Sequence, residues 1–215
     1  SRLRFSEPWE DREEHDGVWT GAEKESLGVN LNESALLCVS ELTGMADPVR
    51  ITTTELASGT RLIDCGVHAE GGLHLGCRLA EICLAGRGAV RIEMGDRDIW
   101  PGPWVTVTTD DPVAACMASQ YAGWPINSGG YIAMGSGPMR AARGREELFA
   151  KIGRTEKADR VVGVLESSKL PNDAVCCELA QQTGVAPPKL TLLVAPTASL
   201  AGTVQIVARS IETAL

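Results

Sequence analysis

The chain has 215 residues, 44% of them hydrophobic and 22% charged, enough to bury a sizeable core as one large domain or two small ones. A formal net charge of −8 argues against nucleic-acid binding, which needs a basic face to neutralise phosphates. No apolar run has the length of a transmembrane helix, no signal-peptide pattern opens the chain, and its seven cysteines lie within apolar stretches; the expectation is a cytoplasmic protein with reduced, mostly buried thiols.

Residues 1–27 are highly charged and aperiodic, and are expected to form a poorly ordered extension or fragment edge, with Trp9 and Trp19 docking onto the body. One α/β region is expected over 28–215. Asn30 with Glu33 resembles a capping arrangement and predicts a helix running to Glu41. Residues 50–56 and 60–67 are β-rich and separated by Ala57-Ser58-Gly59, which predicts a hairpin. A helix is expected over 73–84 and a strand over 104–109. Asp110-Asp111-Pro112 then opens another helix, with carboxylates at its positive end.

Residues 131–134 read as a strand running into Gly135-Ser136-Gly137-Pro138 and a helix. Residues 160–166, 172–183 and 190–195 form a β-α-β pattern, most simply a right-handed crossover. Hairpin plus crossover predicts an α+β fold of mixed α/β layers. The last helix ends at Leu215 without a cap, glycine or proline stop signal, so a truncation is expected.

In that helix Leu200, Val204, Val207, Ile211 and Leu215 follow helical spacing and are expected to face a core. Gln205, Arg209 and Glu212 share the opposite side. An arginine against a carboxylate can hold it ionised and position what it attacks. The plain alternative is an exposed helical ion pair worth about 0.3–0.5 kcal/mol. Residues 135–138 form a strand-to-helix turn whose backbone N–H groups could meet an anion, with Ser136 and Gly137 as contacts, although a tight turn is the commoner explanation. Residues 195–199 form a second such turn, with Thr197 or Ser199 as cap and ligand contact, and both turns are expected to open on one cleft. Cys65, His68, His74 and Cys77 have the ligand types of a zinc cage, but their intervening loop is short. No metal is expected there.

Several segments, in this order, resemble the methenyltetrahydromethanopterin cyclohydrolase family. They are Ile63-Asp64-Cys65-Gly66-Val67, residues 107–112 (VTTDDP), Gln120-Tyr121-Ala122-Gly123-Trp124, residues 131–138 (YIAMGSGP), Leu165-Glu166-Ser167-Ser168 and residues 193–199 (LVAPTAS). The closing stretch, Gly202-Thr203-Val204-Gln205 followed by Arg209 and Glu212, is the most specific. The resemblance covers about 28–215, and the family's chains continue beyond it.

It implies a cofactor-free enzyme of one-carbon metabolism that interconverts methenyl-tetrahydromethanopterin and water with formyl-tetrahydromethanopterin. It also implies a two-domain subunit whose second domain is incomplete here, a homotrimer, and a pterin pocket between domains. The family's catalytic arginine and glutamate fall on Arg209 and Glu212. Ser136, Gly137, Thr197, Ser199 and Gln205 are the expected substrate contacts. A pterin-binding or oligomer-forming fragment without turnover stays open, as does the weaker reading of a structural zinc module.

Overall fold

A computed structural model describes residues 30–211 except Ala122; the expectations for residues 1–29, and those for Glu212 and Leu215, lie outside the described residues. The first helix, α1 (Leu31–Gly44), starts where the sequence places it. The Asn30 side chain accepts a hydrogen bond from Glu33 N–H at 3.2 Å, satisfying one of the free donors of the first turn. Leu31, Ala35, Val39 and Leu42 form its buried stripe. A short helix α2 (Ala46–Val49) leads into the expected hairpin, β1 (Thr52–Glu55) antiparallel to β2 (Arg61–Asp64). There follow α3 (Leu73–Cys83), a separate ribbon of β3 (Gly88–Met94) and β4 (Pro103–Thr109), and the helix announced by Asp111 and Pro112. Asp111 Oδ1 accepts from Ala114 N–H, but the segment Val113–Gln120 winds as a π-helix.

The rest comprises β5 (Trp124–Ser128), β6 (Tyr131–Ser136), α4 (Met139–Arg143), α5 (Glu147–Ile152), β7 (Val161–Glu166), α6 (Asp173–Thr183), β8 (Leu190–Ala195) and α7 (Leu200–Arg209). Six strands make one mixed sheet in the order β1-β2-β8-β7-β6-β5. Strands β2, β8 and β7 run parallel; β1, β6 and β5 are antiparallel to their neighbours.

Helices cover both faces, which is why the central strands β7 (VVGVLE) and β8 (LTLLVA) read as nearly continuous apolar runs. Alternate residues go to opposite sides. Ile63, Val162, Val164 and Leu193 pack with Val39 of α1, Leu75 and Leu79 of α3, and Ala201 of α7. Leu62, Val161, Leu165 and Leu192 pack with Met139 of α4 and Val175 and Leu179 of α6. The mixed α+β architecture expected from the sequence is therefore the one observed. Among the described residues, no helix is long and apolar enough to cross a membrane.

Helices α3 and α7 meet at Gly76. A Cβ at that position would lie 2.5 Å from Val204 Cβ and 3.0 Å from the Ala201 carbonyl oxygen. Gly76→Ala should therefore destabilise the fold by about 1–3 kcal/mol, because overpacking outweighs the roughly 1 kcal/mol gain in helix propensity. Urea unfolding tests this, and a midpoint equal to or above that of the parent would contradict it.

Candidate active site

The geometry of α7 decides where the candidate residues go. Its start is fixed by Ser199, whose Oγ accepts from Gly202 N–H at 3.0 Å. Its buried face consists of Ala201, Gly202, Val204, Gln205 and Ala208, whereas Leu200 and Val207 are 58% and 46% exposed. The stripe expected from hydrophobicity is thus corrected: the inward face lies roughly a quarter turn away. The physical reason is close approach to α3, where Gly76 admits small residues and leaves no room for a row of large ones.

This rotation brings Gln205 and Arg209 inside. Gln205 is 1% exposed, and its Nε2 donates to Cys83 Sγ at 3.5 Å. The same sulfur lies 3.6 Å from Ser136 Oγ, which also donates to the Val164 carbonyl. Gln205 Oε1 is buried and has no hydrogen-bond partner among the described residues. One turn further on, Arg209 Nη1 donates to Glu166 Oε1 in an ion pair whose side chains are 14% and 8% exposed. The expected partner, Glu212, lies outside the described residues. Burial raises the Cys83 pKa to about 11, against the lowering effect of its bonds to Ser136 and Gln205. Cys83 is accordingly a neutral thiol at physiological pH, a polar bridge and not a nucleophile.

Glu166 is the site residue that helical spacing alone could not identify. It ends β7 on the face that Val162 and Val164 give to the core. Its sequence signals are a carboxylate closing an otherwise apolar strand and its place in the segment Leu165-Glu166-Ser167-Ser168. It lies at the carboxyl edge of the parallel strands, opposite Ala195 of β8, where ligands bind in sheets of this kind. Gln120, at the end of the π-helix, is a second such residue. It is fully buried, and neither of its side-chain amide atoms has a partner among the described residues. Its neighbour Ser119 donates to the Cys83 carbonyl.

The two turns do not open on one cleft. Strand β6 runs antiparallel to β7, and β7 parallel to β8, so residues 135–138 and 195–199 leave the sheet in opposite directions. Ser136 is drawn into the Cys83–Gln205 contact, with Gly137 buried beside it at φ +85° and near Val164. Thr197 is exposed at the carboxyl edge, and its carbonyl accepts from Thr203 Oγ1. Ser199 is engaged as the α7 cap.

Asp64 organises the same edge after β2. It accepts from the backbone N–H groups of Gly66, Val67, His68 and Ala69 at 2.7–3.2 Å. A Cβ on Gly66 would lie 2.8 Å from Ser199 Oγ, so this loop and the β8–α7 turn are fitted together. Burial raises the Asp64 pKa, but the four N–H bonds outweigh it and hold the carboxyl below its ordinary value of 3.8. A depressed folded pKa contributes stability above the unfolded value, and that stability is lost as pH falls through the folded one. Asp64→Asn should cost about 1–3 kcal/mol at neutral pH and flatten the loss of stability below pH 4 or so. Unfolding curves at neutral and acid pH give the measurement; an unchanged acid slope would contradict this assignment.

As for the candidate zinc ligands, Cys65 is fully buried, with its Sγ 3.7 Å from the Ile63 carbonyl. His68 and His74 are exposed. Among the described residues, no group of three or more His, Cys, Asp or Glu side chains is placed to hold a metal ion.

Comparison with known proteins extends this picture along the chain. A family profile described as "Cyclohydrolase (MCH)" matches residues 30–215. Methenyltetrahydromethanopterin cyclohydrolase of Methylobacillus flagellatus is 43% identical over 192 residues, covering 88% of this chain and 58% of that protein. The protein of the same name from Methanosarcina mazei is 40% identical over 188 residues, covering 87% and 59%. That from Xanthobacter autotrophicus is 44% identical over 173 residues, covering 79% and 50%. The chain thus spans between half and three-fifths of the length of these curated relatives. With its described fold wholly inside the matched region, the chain belongs to the cyclohydrolase (MCH) family.

Proposed function

We propose that the protein hydrolyses 5,10-methenyl-tetrahydromethanopterin to the 5-formyl derivative, reversibly and without a metal or other cofactor. The observation that carries this is the match over residues 30–215 to a family whose relatives bear that name. The inward setting of Arg209 and Gln205 on α7 agrees with it.

The methenyl group is a cationic amidinium, and its carbon is electrophilic enough to need only a positioned, deprotonated water. The water oxygen bonds to that carbon while Glu212 takes a proton from it. The adduct carries a hydroxyl. As its carbon–nitrogen bond to the second nitrogen breaks, the hydroxyl loses its proton to become the formyl C=O and that nitrogen takes up a proton. Of the water's two protons, one thus ends on nitrogen and one in solvent. Arg209 orients Glu212 and stabilises the developing oxygen. Gln205, whose Oε1 is buried without a partner among the described residues, is proposed as a substrate contact together with Ser136 and Gly137; Thr197 and Ser199 belong to the turn that leaves the sheet in the other direction and are not placed with them. A homotrimer and a cytoplasmic location belong to the same proposal.

The test is loss of the methenyl chromophore when the full-length protein is added to substrate with a chelator present. Turnover at an undiminished rate is expected. No turnover by the intact protein would overturn the reading.

A further inference from the structure

We infer that Glu166 is a positioning residue of this reaction, which fixes the guanidinium of Arg209 from the end of β7; this rests on the proposed function. Four observations lead to it. First, the pair is long-range, joining a sheet strand to the last turn of α7 across 43 residues of sequence. Its two ends therefore have independent backbone supports. Secondly, Glu166 is held on both sides, opposite Met134 of β6 and opposite Ala195 of β8, so its Cα belongs to the interior of a six-stranded sheet. Arg209 is at the other extreme: the regular helix ends with it, and Ser210 and Ile211 follow in a tighter turn. A long, rotamer-rich side chain at a helix end needs an external partner to take one direction.

Thirdly, the pair is nearly buried. Ending an apolar strand in a carboxylate is a poor way to gain stability, because two desolvated charges lose about as much as they gain from each other. A leucine at position 166 would continue the pattern of VVGVL. Fourthly, a guanidinium carries its five N–H donors in one fixed plane, so a contact that holds Nη1 from the sheet side fixes the direction of the whole group. Glu166 thus sets the plane of the group that, in the proposed reaction, orients Glu212 and the attacking water. The neighbouring polar groups, Cys83 and Gln205, are engaged with each other and with Ser136. Glu166 touches neither substrate nor water in this scheme; it acts through Arg209.

The experiment is a double-mutant cycle in the full-length protein, comparing Glu166→Gln, Arg209→Ala and the double variant by kcat and KM. Glu166→Gln keeps the shape but removes the charge that holds the guanidinium, and should lower kcat by about 10–100-fold with KM changed little. In the Arg209→Ala background the same change should cost almost nothing further, because its only route to the reaction has been removed. If Glu166→Gln does not fold, Glu166→Asp takes its place in the cycle. It retains the charge but retracts it by one methylene, and the same non-additivity is expected of it. A wild-type kcat in the single variant, or a full loss repeated in the Arg209→Ala background, would overturn the inference while leaving the proposed function intact. An inactive wild type would instead sink the proposed function, and this inference with it.

Discussion

Glu212→Gln is expected to lower kcat for methenyl hydrolysis by about 10²–10⁴-fold, the usual cost of losing a general base, while changing KM far less. Glutamine keeps the volume and the hydrogen-bonding reach of glutamate but cannot accept the proton of the attacking water. Arg209→Ala should also slow turnover. Because both residues are proposed to serve the same step, the double variant should be little worse than the poorer single one. The assay is decay of the methenyl chromophore over a range of substrate concentrations in the full-length protein. Near-wild-type kcat in Glu212→Gln would refute the general-base role even if the protein proved fully active. Equal losses in kcat and kcat/KM would agree with an interaction made only in the transition state.

Much of the fold is legible in the sequence where local signals and tertiary demands coincide. The Asn30 cap, the hairpin around Gly59 and the run β7-α6-β8 are of that kind. Two strands are not. Strand β3 (GAVRIEM) pairs only with β4 in a two-stranded ribbon, and of its residues only Val90 is buried, so no apolar alternation announces it. Strand β5 (WPINS) contains Pro125, which argues against a central strand; β5 forms because it lies at the sheet edge. The π-helical winding of Val113–Gln120 leaves no trace in a sequence that suits an α-helix equally well.

The candidate site shows the same division. Helical spacing groups Gln205 with Arg209, and both do face one way. It misjudges which way, since the most hydrophobic stripe of α7 is not its buried one. Burial there is decided by α3, whose Gly76 can be matched only by small residues. The partner of Arg209 is hidden for a different reason: no local rule connects positions 166 and 209, which only the sheet brings together. Ser136 and Cys83 likewise meet Gln205 through tertiary packing alone.

Arg140 carries the largest expected effect on stability. It is fully buried, its Nε and Nη2 donate to the Glu146 carboxylate, and its Nη1 donates to the carbonyls of Met117 and Ser119 at 3.1 and 3.4 Å. The guanidinium lies over the rings of Tyr121 and Phe149, 5.0 and 5.4 Å from their centroids. One side chain thus ties α4 and α5 to the end of the π-helix, next to Gln120. Arg140→Ala leaves Glu146, which is 14% exposed, without its counter-charge and two carbonyls without a donor. The cost should be about 3–5 kcal/mol, the range for breaking a buried pair from one side, and the melting temperature should fall by roughly 10 °C. Removing both charges is a milder change than removing one. Arg140→Met combined with Glu146→Leu should recover part of the loss, since apolar side chains can fill the volume without stranding a carboxylate. Urea and thermal unfolding of the three proteins would read this directly. An Arg140→Ala variant within about 1 kcal/mol of the parent would show that the group is not desolvated as described, and a double variant less stable than Arg140→Ala would show that the two backbone carbonyls, and not Glu146, account for the loss.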